Sequence, residues 1–217
     1  MGRLRASHSY GFVLLLILAS FVITASAGDA EWSQGLLILV QSATLVAALW
    51  TSGLGRAAVL PSVLLAAVGS GVAALQILSG GDTLTGVAAL LSALLLVAVG
   101  VVIGVGVFDQ QTVNKQSILG AICIYLLIGM LFTFIYGVVA ELGSGDFFAQ
   151  GTDGTPSLRL YFSYVTLATL GYGDYTPAGD LGHTLAIAEA LLGQLYLVTV
   201  VAVVVGRLHR GRSERTA

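Results

Sequence analysis

Charge is scarce in this chain. Of its 217 residues only 9% are Asp, Glu, Lys or Arg, and Lys115 is the single lysine. A water-soluble domain covers its surface with about 25% charged residues. This chain cannot do so, and lipid is the solvent that suits it. Cysteine is scarcer still: Cys123 stands alone inside an apolar run. That excludes an intrachain disulfide and a multi-cysteine metal site, and leaves a small core residue as the plain reading. No basic cluster is large enough to suggest a nucleic-acid partner. A nucleotide-binding glycine pattern opening a helix, a His/Cys metal spacing and a nucleophile elbow are all missing. The sequence therefore calls for no cofactor and for no enzyme.

What it has instead is long apolar stretches. Hydrophobic residues make up 57% of the chain, and the mean hydropathy is +0.95. A helix needs about 20 residues to cross about 30 Å of hydrocarbon. Six stretches qualify, at roughly 10–27, 35–51, 57–78, 84–108, 117–140 and 182–206. Short polar turns separate the first five, whereas Glu141 to Leu181 is a long connection rich in glycine. It holds Pro156 and Pro177, two of the three prolines. A connection of that length between spans is either disordered or functional.

The positive residues set the orientation. Arg3 and Arg5 precede the first span, Arg56 lies between the second and third, Lys115 between the fourth and fifth, and Arg207, Arg210, Arg212 and Arg215 follow the last. With six spans all of these fall on one side, the cytoplasmic one, and only Arg159 falls outside. The other side carries Asp29, Glu31, Asp82, Glu141, Asp146, Asp153, Asp174 and Asp180. Both chain ends are thus expected in the cytoplasm of a multi-pass cell-membrane protein, with the long connection facing outward. Arg3, Arg5, the apolar run from Phe12 to Ile23 and Ala25-Ser26-Ala27 also fit a signal peptide with a cleavage site. An uncleaved first helix is the reading adopted.

The outward connection contains Thr169-Leu170-Gly171-Tyr172-Gly173-Asp174. Before it, Thr155 can cap a helix and Pro156 suits a first helical position. A helix over 156–168 is about 20 Å long, too short to cross. It can enter from outside and stop partway, with its partly negative carboxyl end toward the membrane centre. The chain must then return in non-helical form, which lipid tolerates only where protein or water covers it. Gly171 and Gly173, alternating with ordinary residues, allow successive carbonyls to turn to one side. Such carbonyls can replace the water shell of K+.

This segment resembles the pore signature of potassium channels, whose filter usually reads Thr-Val-Gly-Tyr-Gly-Asp. With its flanking spans it is similar to the bacterial ion-channel pore domain, over residues 117–208. The resemblance implies an all-α membrane protein of six transmembrane helices, with a re-entrant pore helix and selectivity filter between the fifth and sixth. Residues 1–116 form a four-helix amino-terminal region. The pore domain, 117–208, holds the pore helix 156–168, the filter 169–174 and the inner helix 182–206. A short basic tail, 209–217, completes the chain. Carbonyls of Thr169, Leu170, Gly171 and Tyr172, with the Thr169 hydroxyl, would form stacked K+ sites, Gly173 completing the filter. The Tyr172 ring would pack behind the filter as a spacer. Asp174 would hydrogen-bond Tyr161 or Tyr164 of the pore helix. Leu170 replaces the usual valine, and Val165 stands where some members carry an acid that braces the outer aspartate.

Two residues of the last span are candidates for gate or cavity. Gly193 is either a hinge or a packing glycine. Glu189, the only acid inside a predicted span, either faces the cavity or braces the pore helix through Ser163 or Thr166. The fourth span contains no Lys or Arg, and a voltage sensor needs several, so conduction is expected to be voltage-independent. The reading is a passive K+-selective channel subunit acting as a homotetramer in membrane lipid. A weakly selective cation channel and a cation transporter are the alternatives.

Overall fold

In a membrane every backbone N–H and C=O must be satisfied within the protein, so apolar stretches of this length become helices. The computed structural model describes residues 10–26, 31–52, 56–79, 83–108 and 115–213. They form α1 (Tyr10–Ser26), α2 (Glu31–Ser52), α3 (Arg56–Ser79), α4 (Thr83–Phe108), α5 (Lys115–Leu142), α6 (Pro156–Leu167) and α7 (Asp180–Ser213). Among the described residues the only other regular pairing is a pair of isolated bridges, Phe148 with Thr152 and with Pro177.

Four stretches are long and apolar enough to cross a membrane: Ser33–Ser52, Val87–Val107, Lys115–Leu142 and Asp180–Val200. Tyr10–Ser26 and Val63–Val72 are shorter apolar stretches. The six expected spans coincide with α1 to α5 and α7 to within a few residues, save at the end of the chain. There α7 continues to Ser213. Its 34 residues reach about 51 Å, well beyond the hydrocarbon thickness. Residues 209–213, expected as a separate tail, are thus the last turns of α7. No proline interrupts the helix, and that continuity is the physical reason for the difference. Arg3, Arg5, Ala27 and Arg215 lie outside the described residues.

The packing obeys a membrane rule. On α1 the buried residues are Tyr10, Val13, Ile17, Ser20 and Thr24. They alternate three and four apart, which is one helical stripe. The exposed face carries Phe12, Leu15, Leu18 and Val22. Large apolar side chains point out, and the hydroxyls of Ser20 and Thr24 point in beside Val13 and Ile17, unlike a soluble helix. That fits a lipid-facing surface with small or polar residues at helix contacts. α2 packs on α1, α3 and α4, and α5 packs on α1, α4, α6 and α7. α1 also reaches α6: Phe21 meets Tyr164 edge-on at 5.2 Å, and the Ser157 hydroxyl donates to the Ala25 carbonyl at 3.0 Å. Gly100 and Gly104 of α4 have the spacing of a packing pair, but among the described residues no atom outside their own helix turns comes within 4 Å of a Cβ built on either.

Two aromatic residues without any sequence signal anchor the connection before α6. Phe147 and Phe148 are buried with Phe132, Tyr136 and Phe162 in one cluster. From there the backbone pairs across to the segment after residue 174: Ala149 N–H donates to Thr176 at 2.9 Å, and Ala178 N–H donates to Phe147 at 2.8 Å. The Arg159 guanidinium donates to the carbonyls of Asp153 and Gly154 at 3.2 and 3.0 Å. These bonds fix the start of α6 and the outer end of the non-helical return, and the aromatic cluster holds both against α5.

Candidate ion-conduction site

α6 begins as its sequence dictates. The Thr155 hydroxyl accepts from the Leu158 N–H at 3.2 Å, and Pro156 occupies the first turn, where its missing N–H removes nothing. Twelve residues give about 18 Å of helix. The helix ends one residue earlier than expected, with Ala168 as its cap. The first amides beyond it close the helix end: Ala168 N–H donates to Tyr164, Thr169 N–H to Thr166 and Leu170 N–H to Val165, at 3.0, 2.9 and 2.9 Å.

Beyond that point the backbone changes character. Thr169, Gly171 and Gly173 have φ of +56°, +57° and +78°. Every second residue is therefore left-handed and the residues between are not. Such alternation turns successive peptide planes the same way instead of reversing them. For the two glycines this is free of a Cβ penalty. Thr169 carries the penalty, and it is the only non-glycine with positive φ among the described residues. Nothing in the sequence signals this at Thr169, since threonine avoids that region. Among the described residues the backbone of 171–173 makes no hydrogen bond to the rest of the chain. Residues 168–174 are all exposed.

The side chains around this segment sort themselves by depth. Tyr161, midway along α6, donates to Asp174 Oδ2 at 2.7 Å, while Asp174 Oδ1 accepts from the Tyr175 N–H at 3.1 Å. The Tyr172 ring stacks nearly parallel to Tyr161, 6.4 Å between centroids and 9° between planes. It thus leans back toward α6. Tyr164 does not support Asp174, which corrects the expectation. It sits one turn deeper along α6, and its hydroxyl donates to the Leu126 carbonyl on α5 at 2.7 Å. Its ring lies over Gly129, where an added Cβ would come within 2.8 Å. Val165 and Leu167 are buried behind the segment, and Leu170 is exposed. We expect Tyr161→Phe to weaken the Asp174 tether by no more than about 1 kcal/mol, because the bond is exposed. Faster loss of conduction under sustained flux, with assembly unchanged, is the measurement; identical time courses would refute a tethering role.

Helix α7 closes the site from the other side. A Cβ on Gly193 would lie 2.7 Å from Leu167 Cδ1 and 2.8 Å from the Leu167 carbonyl oxygen. Close packing, not a bend, is what this glycine shows. The neighbouring Gln194 Nε2 reaches Thr169 Oγ1 at 3.4 Å. Glu189 is fully buried, so it does not face a cavity; of its two readings the brace is the one the geometry carries. Its Oε2 accepts from the Tyr136 hydroxyl of α5 at 2.5 Å, and its Oε1 is in hydrogen-bond contact with Ser163 of α6. Ser163 also donates to the Gly129 carbonyl at 2.6 Å. Tyr136 is invisible to sequence reasoning because it lies 53 residues from Glu189. No periodicity connects the two.

Comparison with known proteins falls on this half of the chain. The family described as ion channel matches residues 121–210. The chain is similar to the inward rectifier potassium channel Kirbac3.1 of Paramagnetospirillum magnetotacticum, at 34% identity over 87 residues, 40% of this chain and 28% of the relative. It is similar to probable potassium channel protein 2 of Methanocaldococcus jannaschii, at 32% over 96 residues, 43% of this chain and 24% of the relative. It is also similar to protein LctB of Geobacillus stearothermophilus, at 52% over 42 residues, 19% of this chain and 31% of the relative. The chain spans about a quarter to a third of the length of these curated relatives. No solved structure matches it. A short helix that stops within the fold, a return of alternating handedness and two flanking apolar helices coincide with that match: residues 121–210 are similar to the ion channel family and to segments of potassium channels.

Proposed function

We propose that this chain is a subunit of a homotetrameric, K+-selective channel, passive and voltage-independent, in the cell membrane. The observation that carries the reading is the left-handed alternation at 169, 171 and 173, on a backbone that is exposed throughout and, among the described residues, makes no hydrogen bond over 171–173. Four such strands around an axis place rings of carbonyl oxygens from Thr169, Leu170, Gly171 and Tyr172, plus the Thr169 hydroxyl, in place of the hydration shell of K+. A single strand cannot do this. Polar backbone exposed at membrane depth has no tolerable lipid-facing arrangement, so closure by symmetry is the solution. The exposure of α7 agrees: only 11% of its apolar window is buried within the chain, against 39% for α5. Leu181, Ile187, Leu191, Leu195 and Val198 are left uncovered, available to the other copies and to lipid.

In this reading residues 117–208 are the pore domain and 1–116 surround it. All six long helices span, both chain ends lie in the cytoplasm, and the 143–155 connection faces outward. α4 carries no Lys or Arg over Thr83–Phe108, which supports voltage independence. The channel family speaks for a conduit rather than an enzyme, and the permeant ion is K+.

Purified protein in liposomes with opposed K+ and Na+ gradients tests this. K+ flux strongly exceeding Na+ flux and blocked by barium is the expected result. Equal permeability would replace the reading with a weakly selective cation channel. Saturable flux that requires a coupled ion would replace it with a transporter.

A further inference from the structure

The oxygens around Glu189 carry more hydrogen-bond contacts than their hydroxyls have protons. Four groups from three helices form a line: the Gly129 carbonyl of α5, the Ser163 hydroxyl of α6, the Glu189 carboxyl of α7 and the Tyr136 hydroxyl of α5. Gly129 O meets Ser163 Oγ at 2.6 Å. Ser163 Oγ meets Glu189 Oε1. Glu189 Oε2 meets Tyr136 at 2.5 Å. Oxygens at such separations need a proton between them, since otherwise lone pairs face each other.

The line has three contacts, and Ser163 and Tyr136 supply two protons. A peptide carbonyl has none to give, so the contact with Gly129 takes the Ser163 proton. The contact at Oε2 takes the Tyr136 proton. The middle contact is left without one unless Glu189 supplies it.

The surroundings favour the same answer. Glu189 is fully buried, and among the described residues its carboxyl meets two hydroxyls and no ammonium or guanidinium. The titratable groups facing it are Tyr136 and Tyr125 from α5 and Tyr164 from α6. On α7 itself the nearest are His183, in the first turn, and Tyr196, two turns beyond Glu189, with Asp180 farther off. An uncompensated buried carboxylate is expensive, and in lipid more so.

The geometry points to Glu189 being a neutral carboxylic acid whose Oε1–H donates to Ser163, which makes it a positioning residue that locks the pore helix α6 between α5 and α7. Loss of that proton to water leaves two lone pairs facing each other at either the Ser163–Glu189 or the Ser163–Gly129 contact. α6 then loses one of its two ties through Ser163, and a bare charge sits where three helices meet. The lock is complete while Glu189 holds its proton and opens as rising pH removes it. Ser163 lies on α6, which ends at Leu167 just before the filter strand begins at Thr169, so the filter strand is displaced with it. The effect on conduction rests on the channel reading above; the protonation itself does not.

The test uses the full chain in liposomes, with infrared spectra and K+ flux recorded from mildly acidic to alkaline pH. Wild type minus Glu189→Gln should show a carboxylic-acid C=O band at neutral pH that shifts in D2O and fades at alkaline pH. Flux through wild type should fall roughly tenfold over the same range, the scale of one buried hydrogen bond lost. Glu189→Leu, which can neither donate nor accept, should lose flux at every pH. Glu189→Gln should rescue it with a flat pH profile, since an amide donates to Ser163 and accepts from Tyr136 as the neutral acid does. Absence of a D2O-sensitive carboxylic-acid band from the wild-type spectrum itself at neutral pH, where ordinary carboxyls are ionised, overturns the assignment, and that reading does not depend on whether any variant folds. Rescue failing in an assembled Glu189→Gln protein overturns it as well. A titrating band in protein that conducts no K+ upholds the proton on Glu189 and overturns the channel reading instead.

Discussion

Gly171→Ala is expected to abolish K+-selective flux while the protein still inserts and its helices still form. Gly171 has φ +57°, and a Cβ built there meets nothing within 4 Å. The obstacle is therefore the backbone angle and not space in the single chain. Holding alanine in the left-handed region costs about 1–2 kcal/mol per residue. In the proposed ring of four subunits that is about 4–8 kcal/mol, set on a strand that among the described residues makes no hydrogen bond over 171–173. The strand has nothing to hold it there and relaxes to an ordinary angle. That rotates the neighbouring peptide planes and takes a ring of carbonyls off the axis. A K+ to Na+ flux ratio reduced tenfold or more is the expected reading, since about 1.4 kcal/mol of lost discrimination suffices for a factor of ten. Wild-type selectivity in Gly171→Ala would show that this strand does not coordinate the ion.

Gly193→Ala should have the next largest effect, by a different mechanism. An added Cβ would lie 2.8 Å from the Leu167 carbonyl oxygen and 2.7 Å from its side chain. The side chain can turn, but the carbonyl ends α6 and cannot move alone. Overpacking of this kind costs about 1–3 kcal/mol. The relief available is for α7 to move off α6, which breaks the Gln194–Thr169 contact at 3.4 Å. Assembled protein in detergent should lose its subunit association several degrees lower, and flux should fall with it. Gly104→Ala serves as the control: among the described residues no atom outside its own helix turns lies within 4 Å of a Cβ there, and alanine is the better helix former by about 1 kcal/mol. Unchanged thermal stability in Gly193→Ala, or equal losses in the two variants, would remove the packing argument.

How far the sequence reaches is visible at particular residues. The pore helix is legible because Thr155 and Pro156 are start signals that work through local backbone chemistry, and the observed helix begins where they place it. Gly171 and Gly173 are legible for the same reason, as residues chosen for backbone freedom. Thr169 is not, because its left-handed angle is imposed by the helix end on one side and the glycine on the other, against its own preference. Tyr161 and Tyr164 look equivalent three residues apart in sequence. Depth separates them: the first meets Asp174, the second a carbonyl of α5. Glu189 stands out as an acid in a span, but its partners are decided by how α5, α6 and α7 cross.

The sequence by itself therefore determined the helices, their order and the place where the chain must abandon helical form. In lipid those result from apolar length, local start signals and the need to satisfy each backbone group nearby. Only the tertiary structure decided who meets whom: Tyr136 and Ser163 at Glu189, Leu167 at Gly193, Phe147 and Phe148 beneath the loop, α1 against α6. Such pairs depend on helix rotation and depth. A chain that is apolar on every face gives no amphipathic stripe from which to read either.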